Sequence, residues 1–225
     1  MKFVSVIPAR KGSKGLPGKN TKLFKGKSLV SYTIEASLSS RDILKTIVSS
    51  DDDEVLEISA TLGAVAHKRD ARLAQDATRI EDVIADVIEA YQLSDHFDAL
   101  VLLQPTSPLR SSADINNSIN IFRTEKSNTL YSVCEAPHHP YKMFIKNDSI
   151  TPLFGRDNLS KPRQHLPTVF MQNGAVYILN LRAFMESNRL FNEPVAYYQM
   201  ELSRSVDIDT QVDFLLAETL VGCNE

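Results

Sequence analysis

A loop rich in glycine and basic residues follows the first apolar run of the chain. Segment 8–20 reads PARKGSKGLPGKN. It interleaves glycines with cations, namely Gly12, Gly15 and Gly18 with Arg10, Lys11, Lys14 and Lys19. Glycine lets the backbone approach a ligand and turn its N–H groups inward, while the cations balance phosphate oxygens. The composition therefore indicates a triphosphate site, against the alternative of a solvated basic turn.

The spacing of this loop differs from two common phosphate loops. No glycine lies five residues before Gly18, and Asn20 stands where a Walker A loop has the Ser or Thr that binds magnesium. No G-x-G occurs in the loop, so the nicotinamide dinucleotide fingerprint is missing as well. An oxidoreductase of that type is therefore disfavoured.

Asp207 and Asp209 form a second constellation, at alternate positions just before a predicted helix. In an extended segment two such carboxylates point the same way, which suits a magnesium ion that completes its shell with water and substrate phosphate. The alternative is helix capping, with Asp209 as N-cap and no metal. His138 and His139 are adjacent and have no suitably spaced third ligand, so a metal site there is disfavoured.

Short β-rich apolar runs alternate with amphipathic helices, which predicts an α/β fold with a mainly parallel, Rossmann-like sheet flanked by helices. The predicted strands cover Phe3 to Ile7, Thr46 to Ser49, Ala99 to Leu103, Thr129 to Val133, Ala175 to Leu179 and Val195 to Met200. Because ligands bind at the carboxyl ends of such strands, the glycine-rich loop after the first strand is well placed for a site.

Three helices are predicted from apolar stripes with a period of 3.6 residues. Their apolar positions are Ile80, Val83, Ile84, Val87, Ile88 and Tyr91 in the first, Ile115, Ile119 and Phe122 in the second, and Val212, Leu215, Leu216 and Leu220 in the third. Thr210 and Asp213 form a predicted capping box for the last helix.

The alternation breaks down between residues 136 and 170, a stretch with five prolines. Long excursions of this kind are typical of lids, binding loops or dimerisation arms. The other 190 or so residues indicate one globular domain, so we expect a single domain over 1–225 with this insertion.

Composition limits the class of partner and the compartment. The net charge of −3 disfavours a nucleic-acid partner. Cys134 and Cys223 are far apart and form no C-x-x-C pair, which favours a reducing compartment, read here as the cytoplasm. No run of apolar residues approaches the length of a bilayer span, so no membrane partner is expected.

Taken together, the motifs resemble those of the acylneuraminate cytidylyltransferases, the CMP-sialic acid synthetases. Besides the loop, the matching motifs in order are VSSDD at 48–52, LAQD at 73–76, LLQPTSPLR at 102–110, PRQHLP at 162–167, NGAVY at 173–177 and SVDIDT at 205–210. The related Kdo-activating enzymes typically have Thr-Arg before Leu-Pro-Gly-Lys and Pro after it, whereas this chain has Lys14, Gly15 and Asn20 there. The resemblance covers nearly the whole chain and favours the nine-carbon branch.

The resemblance implies a fold of the nucleotide-diphospho-sugar transferase type and a set of site residues. It implies CTP binding by Arg10, Ser13, Lys14, Lys19, Asn20 and Arg69, and a catalytic set of Arg10, Lys14, Lys19, Asp207 and Asp209. It implies magnesium binding by Asp207 and Asp209. It implies sugar binding by Gln104, Lys142, Arg163, Asn173, Tyr177 and Phe191. From the residues alone, Tyr177 as a core aromatic and Phe191 as simple packing stay open.

The expected reaction is transfer of CMP from CTP to the anomeric hydroxyl of an acidic nine-carbon sugar, N-acetylneuraminate in the first place, with legionaminate or another nonulosonate as the alternative. Leu190 and Phe191 stand where the family often has two adjacent aromatics, which leaves the exact sugar open. Excursion 136–170 is expected to be the arm of a homodimer. The alternative from a different class is a non-catalytic protein that binds nucleotide sugars.

Overall fold

The computed structural model describes residues 1–12 and 15–222. Ser13 and Lys14 of the predicted CTP-binding set lie outside the described residues, as does Cys223. Among the helices of the described part, none is long and apolar enough to cross a membrane.

The elements alternate along the chain much as the apolar pattern indicates. The strands are β1 (Phe3–Pro8), β2 (Leu23–Phe24), β3 (Lys27–Ser28), β4 (Ile43–Ser50), β5 (Val65–Lys68), β6 (Ala99–Leu102), β7 (Thr129–Glu135), β8 (Phe144–Lys146), β9 (Ile150–Pro152), β10 (Phe170–Asn180) and β11 (Val195–Gln199). The α-helices are α1 (Leu29–Leu38), α2 (Asp53–Thr61), α3 (Ile80–Tyr91), α4 (Leu93–His96), α5 (Ser112–Glu125), α6 (Asp157–Ser160), α7 (Leu181–Ser187) and α8 (Gln211–Gly222). All six predicted strands are present, β5 adds a seventh strand to the central sheet, and β2, β3, β8 and β9 form two small additional hairpins.

Seven strands form the central sheet in the order β11-β7-β10-β6-β1-β4-β5. All neighbours are parallel except for β10, which is antiparallel to both β6 and β7. The sheet is thus mainly parallel, as predicted. Strand β1 lies between β4 and β6, so the chain leaves β1 in one direction and later returns on its other side. Such a switch point opens a crevice beyond the carboxyl end of the strand, and the glycine-rich loop lies there.

Helices cover both faces of the sheet. One core cluster packs side chains of α1, α2 and α5 on the sheet, and the other packs α3 and α7 on the opposite face. The apolar stripes of two predicted helices are confirmed, since Val83, Ile84, Val87 and Ile88 are buried in α3 and Ile115, Ile119 and Phe122 are buried in α5.

The last helix packs differently from its predicted stripe. Phe214 and Ala217 of α8 are buried against Phe24, whereas Val212, Leu215 and Leu216 are exposed. The reason is local, because the ring of Phe214 meets that of Phe24 edge to face at 5.5 Å and so orients the helix. The capping box is confirmed, with Thr210 and Asp213 bonded reciprocally at 2.8 and 3.3 Å.

Excursion 136–170 lies between the end of β7 and the start of β10. It contains the β8–β9 hairpin and the short helix α6. Its large apolar side chains are mostly exposed, namely Met143, Phe144, Ile145, Ile150, Leu153 and Phe154. The excursion therefore adds little to the core.

Candidate active site

A cleft of about 550 Å³ lies beyond the carboxyl ends of β1, β4 and β6. Its walls come from the glycine-rich loop, the segment after β5, the start of α3, the loop after β6 and the segment before α8. Five of the predicted site residues inside the described part line it together with Asp209, namely Arg10, Lys19, Asn20, Arg69 and Gln104.

The three glycines of the loop have different structural roles. A side chain at Gly15 would overlap the carbonyl oxygen of Asp209, so the loop and the carboxylate segment are in close contact at this point. Gly18 has a φ of +65°, which glycine adopts without steric cost. A Cβ atom at Gly12 would meet nothing within 4 Å. Only Gly15 is thus required by the approach of another segment.

Lys19 connects the loop to the carboxylate segment. Its Nζ donates to the carbonyl oxygen of Ile208 at 2.6 Å and to Oδ1 of Asp209 at 3.0 Å. The lysine is 9% exposed, whereas the side chain of Asp209 is 72% exposed. A buried ammonium is costly unless it is hydrogen-bonded, so these two acceptors hold its charge at the base of the cleft.

Arg10 reaches across the cleft. Its Nη1 donates to Oδ1 of Asp76 at 2.7 Å, which joins the loop to the segment before α3. Asn20 supports the loop from below, because its Nδ2 donates to the carbonyl oxygen of Arg10 at 2.8 Å. Asp51 accepts from the backbone N–H of Lys11 at 2.8 Å. The loop is therefore held at several points around the cleft.

Arg69 lines the same cleft from β5's end and is 5% exposed. Its Nη2 and Nε donate to the carbonyl oxygen and the hydroxyl of Ser49 at 2.6 and 3.0 Å. Burial lowers the pKa of Arg69, while Asp51 and Asp86 act in the opposite direction. The guanidinium is thus fixed in orientation before any ligand arrives.

Asp207 and Asp209 have different surroundings. Burial raises the pKa of Asp207, and the nearby Asp209 carboxylate adds to the rise, whereas a hydrogen bond from Thr106 opposes it. Thr210 is the capping residue of α8, so Asp209 does not serve as its N-cap. Within 1–12 and 15–222, no group of three or more His, Cys, Asp or Glu side chains is placed to hold a metal.

These two carboxylates nonetheless suit a magnesium ion that takes only one or two protein ligands. Their oxygens are hard donors, and a cation beside them would relieve the mutual repulsion that helps raise the pKa of Asp207. The donor set therefore fits magnesium better than a metal that needs a full cage of protein ligands.

Gln104 is the predicted sugar residue that lines the cleft. Gly174 lies beside it, since a Cβ atom there would approach Oε1 of Gln104 to 3.4 Å and Cγ of Asp207 to 3.8 Å. Asn173 is 2% exposed and bonded on both sides, accepting from Ser132 at 2.6 Å and donating to Ser205 at 2.9 Å. Its observed role is to join β7 and β10 to the segment before Asp207.

Tyr177 belongs to an aromatic row on the sheet. Its ring meets Tyr131 edge to face at 5.3 Å, and Tyr131 in turn stacks on Phe191 at 6.4 Å. Burial raises the pKa of Tyr177 to about 12, with Asp207 contributing, so its hydroxyl stays protonated at neutral pH. Tyr177 is 8% exposed and Phe191 is 57% exposed, so the row runs from the core to the surface.

Lys142 and Arg163 lie on the excursion and do not line the cleft. Lys142 donates to the carbonyl oxygens of Asn158, Leu159 and Lys161 at 2.5 to 2.8 Å, at the end of α6. Arg163 donates to the carbonyl oxygens of Pro137 and Ala136 at 3.2 and 3.0 Å. The single chain therefore does not bring these two cations together with the residues that line the cleft.

Sequence reasoning assigned no side-chain role to Thr106 and Asp76, which line the cleft, and it did not find Tyr131, which lies outside the lining but belongs to the aromatic row. Thr106 and Asp76 lie within motifs given above, but nothing in their spacing indicates that Thr106 would bond to Asp207 or that Asp76 would pair with Arg10. Tyr131 sits in a strand that reads as ordinary core. Its partners Tyr177 and Phe191 come from distant parts of the chain, so only the folded sheet shows the row.

The fold and the cleft are those of an enzyme that transfers nucleotides. The profile of the family described as Cytidylyltransferase matches residues 4–221, and the chain belongs to that family. It is 32% identical to a CMP-N,N'-diacetyllegionaminic acid synthase of Legionella pneumophila over 100% of this chain and 98% of the relative. It is 33% identical to an N-acylneuraminate cytidylyltransferase of Escherichia coli over 97% of this chain but 52% of the relative, so it spans about half the length of that protein.

The fold of the chain is also similar to that of a solved structure. A CMP:2-keto-3-deoxy-manno-octonic acid synthetase complexed with CTP superposes with a TM-score of 0.74, covering 100% of both chains at 17% identity. This confirms the predicted α/β class and a nucleotidyltransferase fold.

Proposed function

We propose that this enzyme transfers CMP from CTP to the anomeric hydroxyl of an acidic nine-carbon sugar and releases pyrophosphate. The observation that carries the proposal is the buried Lys19, whose Nζ joins the glycine-rich loop to Asp209 at the base of the cleft. A nucleotidyl transfer requires cations that hold the triphosphate and carboxylates that hold a metal ion. Lys19 keeps the loop that would supply the first next to the segment that would supply the second.

The nucleotide end of the reaction needs positioning and neutralisation of charge. Arg10, Lys19 and Arg69 supply cations around the cleft, and Asn20 keeps the loop in place. Arg10 exchanges the Asp76 carboxylate for a phosphate oxygen when the triphosphate enters. Ser13 and Lys14 belong to the proposed binding set by resemblance alone.

Magnesium is the proposed metal, held by Asp207 and Asp209. When bound, the ion would offset the charge that develops on the phosphate oxygens as pyrophosphate leaves. Asp207 must be ionised to serve, and Lys19 is the cation that neutralises Asp209 in the protein alone. No covalent bond to the enzyme is required, because the sugar hydroxyl attacks the α-phosphorus directly.

The proposed sugar-binding part of the site combines Gln104, the aromatic row that contains Tyr177, and residues of the excursion. The carboxylate of the sugar calls for a guanidinium, whose two parallel donors match it, and Arg163 is the proposed partner. Since Arg163 and Lys142 lie away from the cleft of their own chain, we propose that they serve the cleft of a second copy. Asn173 and Phe191 complete the proposed sugar set.

A homodimer follows from the same argument. The β8–β9 hairpin exposes Phe144, Ile145 and Ile150, an apolar patch of the kind that a partner covers. Light scattering is expected to give twice the chain mass of 25.1 kDa. A monomer that turns over at full rate would contradict this part of the proposal.

The sugar itself is proposed as N-acetylneuraminate or N,N'-diacetyllegionaminate. The relatives named for these two sugars are 32% and 33% identical to the chain, so the activity measurement below is needed to choose between them. The cytoplasm remains the proposed compartment, in keeping with the buried free thiol of Cys134.

The decisive experiment is pyrophosphate release from CTP with magnesium, offering N-acetylneuraminate, N,N'-diacetyllegionaminate and Kdo separately. We expect release with a nine-carbon sugar and a loss of at least about 100-fold in the Asp209→Ala variant. The matched control is Glu218→Ala, which removes a carboxylate of α8 that accepts from the backbone N–H of Lys25 at 3.5 Å. Binding of CTP without turnover on any of the three sugars would leave another nonulosonate as the substrate, or a non-catalytic nucleotide-sugar binding protein.

A further inference from the structure

The segment that carries Asp207 and Asp209 is held by an ion pair outside the cleft. Arg204 lies in the 3-10 turn Leu202–Arg204, shortly before the two aspartates. Its Nη1 and Nη2 donate to Oδ2 and Oδ1 of Asp114 at 2.8 and 2.9 Å. This two-pronged arrangement fixes orientation as well as distance, which a single contact would not.

Asp114 is a buried junction at the start of α5. It is 2% exposed, and its carboxylate also accepts from the hydroxyl of Tyr198 at 2.9 Å and from the N–H and hydroxyl of Ser111 at 2.8 and 2.7 Å. Burial by itself would raise the pKa of Asp114, but the bonds from Arg204, Ser111 and Tyr198 keep it below its usual value. The carboxylate is therefore ionised and needs the positive charge of Arg204.

The same junction also lies close in the chain to the segment that forms the opposite wall of the cleft. Helix α5 follows directly on the loop with Gln104 and Thr106, and Ile208 donates its N–H to the carbonyl oxygen of Thr106 at 2.9 Å. Through Asp114, Arg204 thus joins the carboxylate segment to α5, the helix that follows the loop with Gln104 and Thr106. Neither Arg204 nor Asp114 lines the cleft itself.

A partly buried ion pair adds little net stability, because desolvation offsets much of the attraction, but it favours one arrangement of the segments it joins. The carboxylate segment is also held inside the cleft by Lys19, which bonds to Ile208 and Asp209, and by the hydrogen bond between Ser205 and Asn173 at 2.9 Å. The Arg204 pair is a two-pronged contact outside the cleft lining, so it can orient the segment without taking up substrate space.

We propose that Arg204, through Asp114, is a positioning residue that holds Asp207 and Asp209 in place for the metal of the transfer reaction. This inference rests on the proposed function. It assigns Arg204 no contact with the substrates. Its loss is therefore expected to weaken metal binding before it affects CTP binding.

The test compares Arg204→Gln and Arg204→Lys with the control Arg123→Gln. Arg123 lies on α5, at the opposite end of the helix from Asp114, and pairs with Asp42 at 2.8 Å away from the cleft lining. For Arg204→Gln we expect the magnesium concentration for half-maximal pyrophosphate release to rise by about tenfold, with little change in the KM for CTP at saturating magnesium. Arg204→Lys, which keeps the charge but loses one prong, should show a smaller rise.

A second measurement does not depend on turnover. Water-proton relaxation distinguishes Mn²⁺ bound at the protein from free Mn²⁺·CTP. With CTP and no sugar, we expect Mn²⁺ to bind most weakly to Arg204→Gln, less weakly to Arg204→Lys, and as tightly to Arg123→Gln as to the wild type. Asp114→Asn combined with Arg204→Gln should cost no more metal affinity than Arg204→Gln alone, because the two residues act through each other. Should Arg204→Gln fail to fold, Arg204→Lys provides the same comparison.

The outcomes separate this inference from the proposed function. Equal magnesium dependence in Arg204→Gln and Arg123→Gln, with an active wild type, would overturn the positioning role alone. A wild type that neither releases pyrophosphate nor binds Mn²⁺ with CTP would overturn the proposed function. A selective rise in the Arg204 variants would support both.

Discussion

The nucleotide cleft and the excursion 136–170 are built in opposite ways. In the cleft, Lys19 is buried and bonded to a segment nearly 190 positions away, and Arg69 is fixed by Ser49. In the excursion, Lys142 and Arg163 bond to backbone carbonyls of their own neighbourhood, and the hairpin exposes its apolar side chains. The difference teaches that one chain by itself assembles the cleft proposed for CTP, whereas the hairpin of the excursion leaves its apolar side chains uncovered by the rest of the described chain.

The largest expected effect tests how tightly the cleft is assembled. In Gly15→Ala the new methyl group would overlap the carbonyl oxygen of Asp209, so the loop and the carboxylate segment must separate. We expect turnover to fall by about 100-fold, the scale of a displacement of about 1 Å at a reacting centre. Steady-state pyrophosphate release measures it. Gly12→Ala is the control in the same loop, since its Cβ meets nothing, and an equal loss there would refute the close-contact argument.

The next effect concerns the excursion. Ile150 on β9 is 67% exposed, and Ile150→Asp would place a charge in the proposed interface. Loss of an interface hot spot should weaken the dimer by about 30-fold, and use of the sugar should fall with it while CTP binding is retained. Analytical ultracentrifugation and a CTP titration measure the two parts. Ser149→Asp, in the adjoining turn, is expected to leave the dimer intact, and an unchanged mass for Ile150→Asp would break the comparison.

A smaller effect is expected at the mouth of the cleft. The ion pair of Arg10 and Asp76 is partly exposed, with side chains 36% and 50% accessible, so it contributes little energy. Asp76→Asn should lower the KM for CTP by about two- to fivefold, because Arg10 no longer has to leave a carboxylate to reach phosphate. Asp70→Asn, whose partner is Arg72, is the control. A higher KM for Asp76→Asn would show that Asp76 helps to bind CTP.

The smallest effect is on stability. The pKa of Asp207 is raised in the folded state, so this group opposes folding at pH values above its folded pKa, and the penalty declines below that value and vanishes below the ordinary pKa of an unfolded Asp. Asp207→Asn should therefore raise the unfolding midpoint without metal at pH 7 by about 3 °C, with no gain near pH 3. Thermal unfolding followed by circular dichroism measures it. Asp209→Asn should show no such gain, because that carboxylate is exposed and pairs with Lys19.

Much of the fold followed from local pattern. The periods of α3 and α5, the six predicted strands and the Thr210 capping box depend on neighbouring residues, and all are confirmed. Strand β5 escaped prediction because it is short and half exposed, without a clear apolar run. The predicted apolar stripe of α8 is largely exposed, because the helix packs instead through Phe214, which contacts Phe24 in a distant segment.

The sequence by itself determined the class of chemistry, since the glycines and cations of loop 8–20 and the two aspartates are chemical types that can be recognised without coordinates. Only the tertiary structure decided which of them meet. Lys19 reaches Asp209, Arg10 reaches Asp76 and Arg204 reaches Asp114, each across many intervening residues. The physical reason is that composition and spacing specify charge and local geometry, whereas contact between distant segments depends on how the sheet orders its strands.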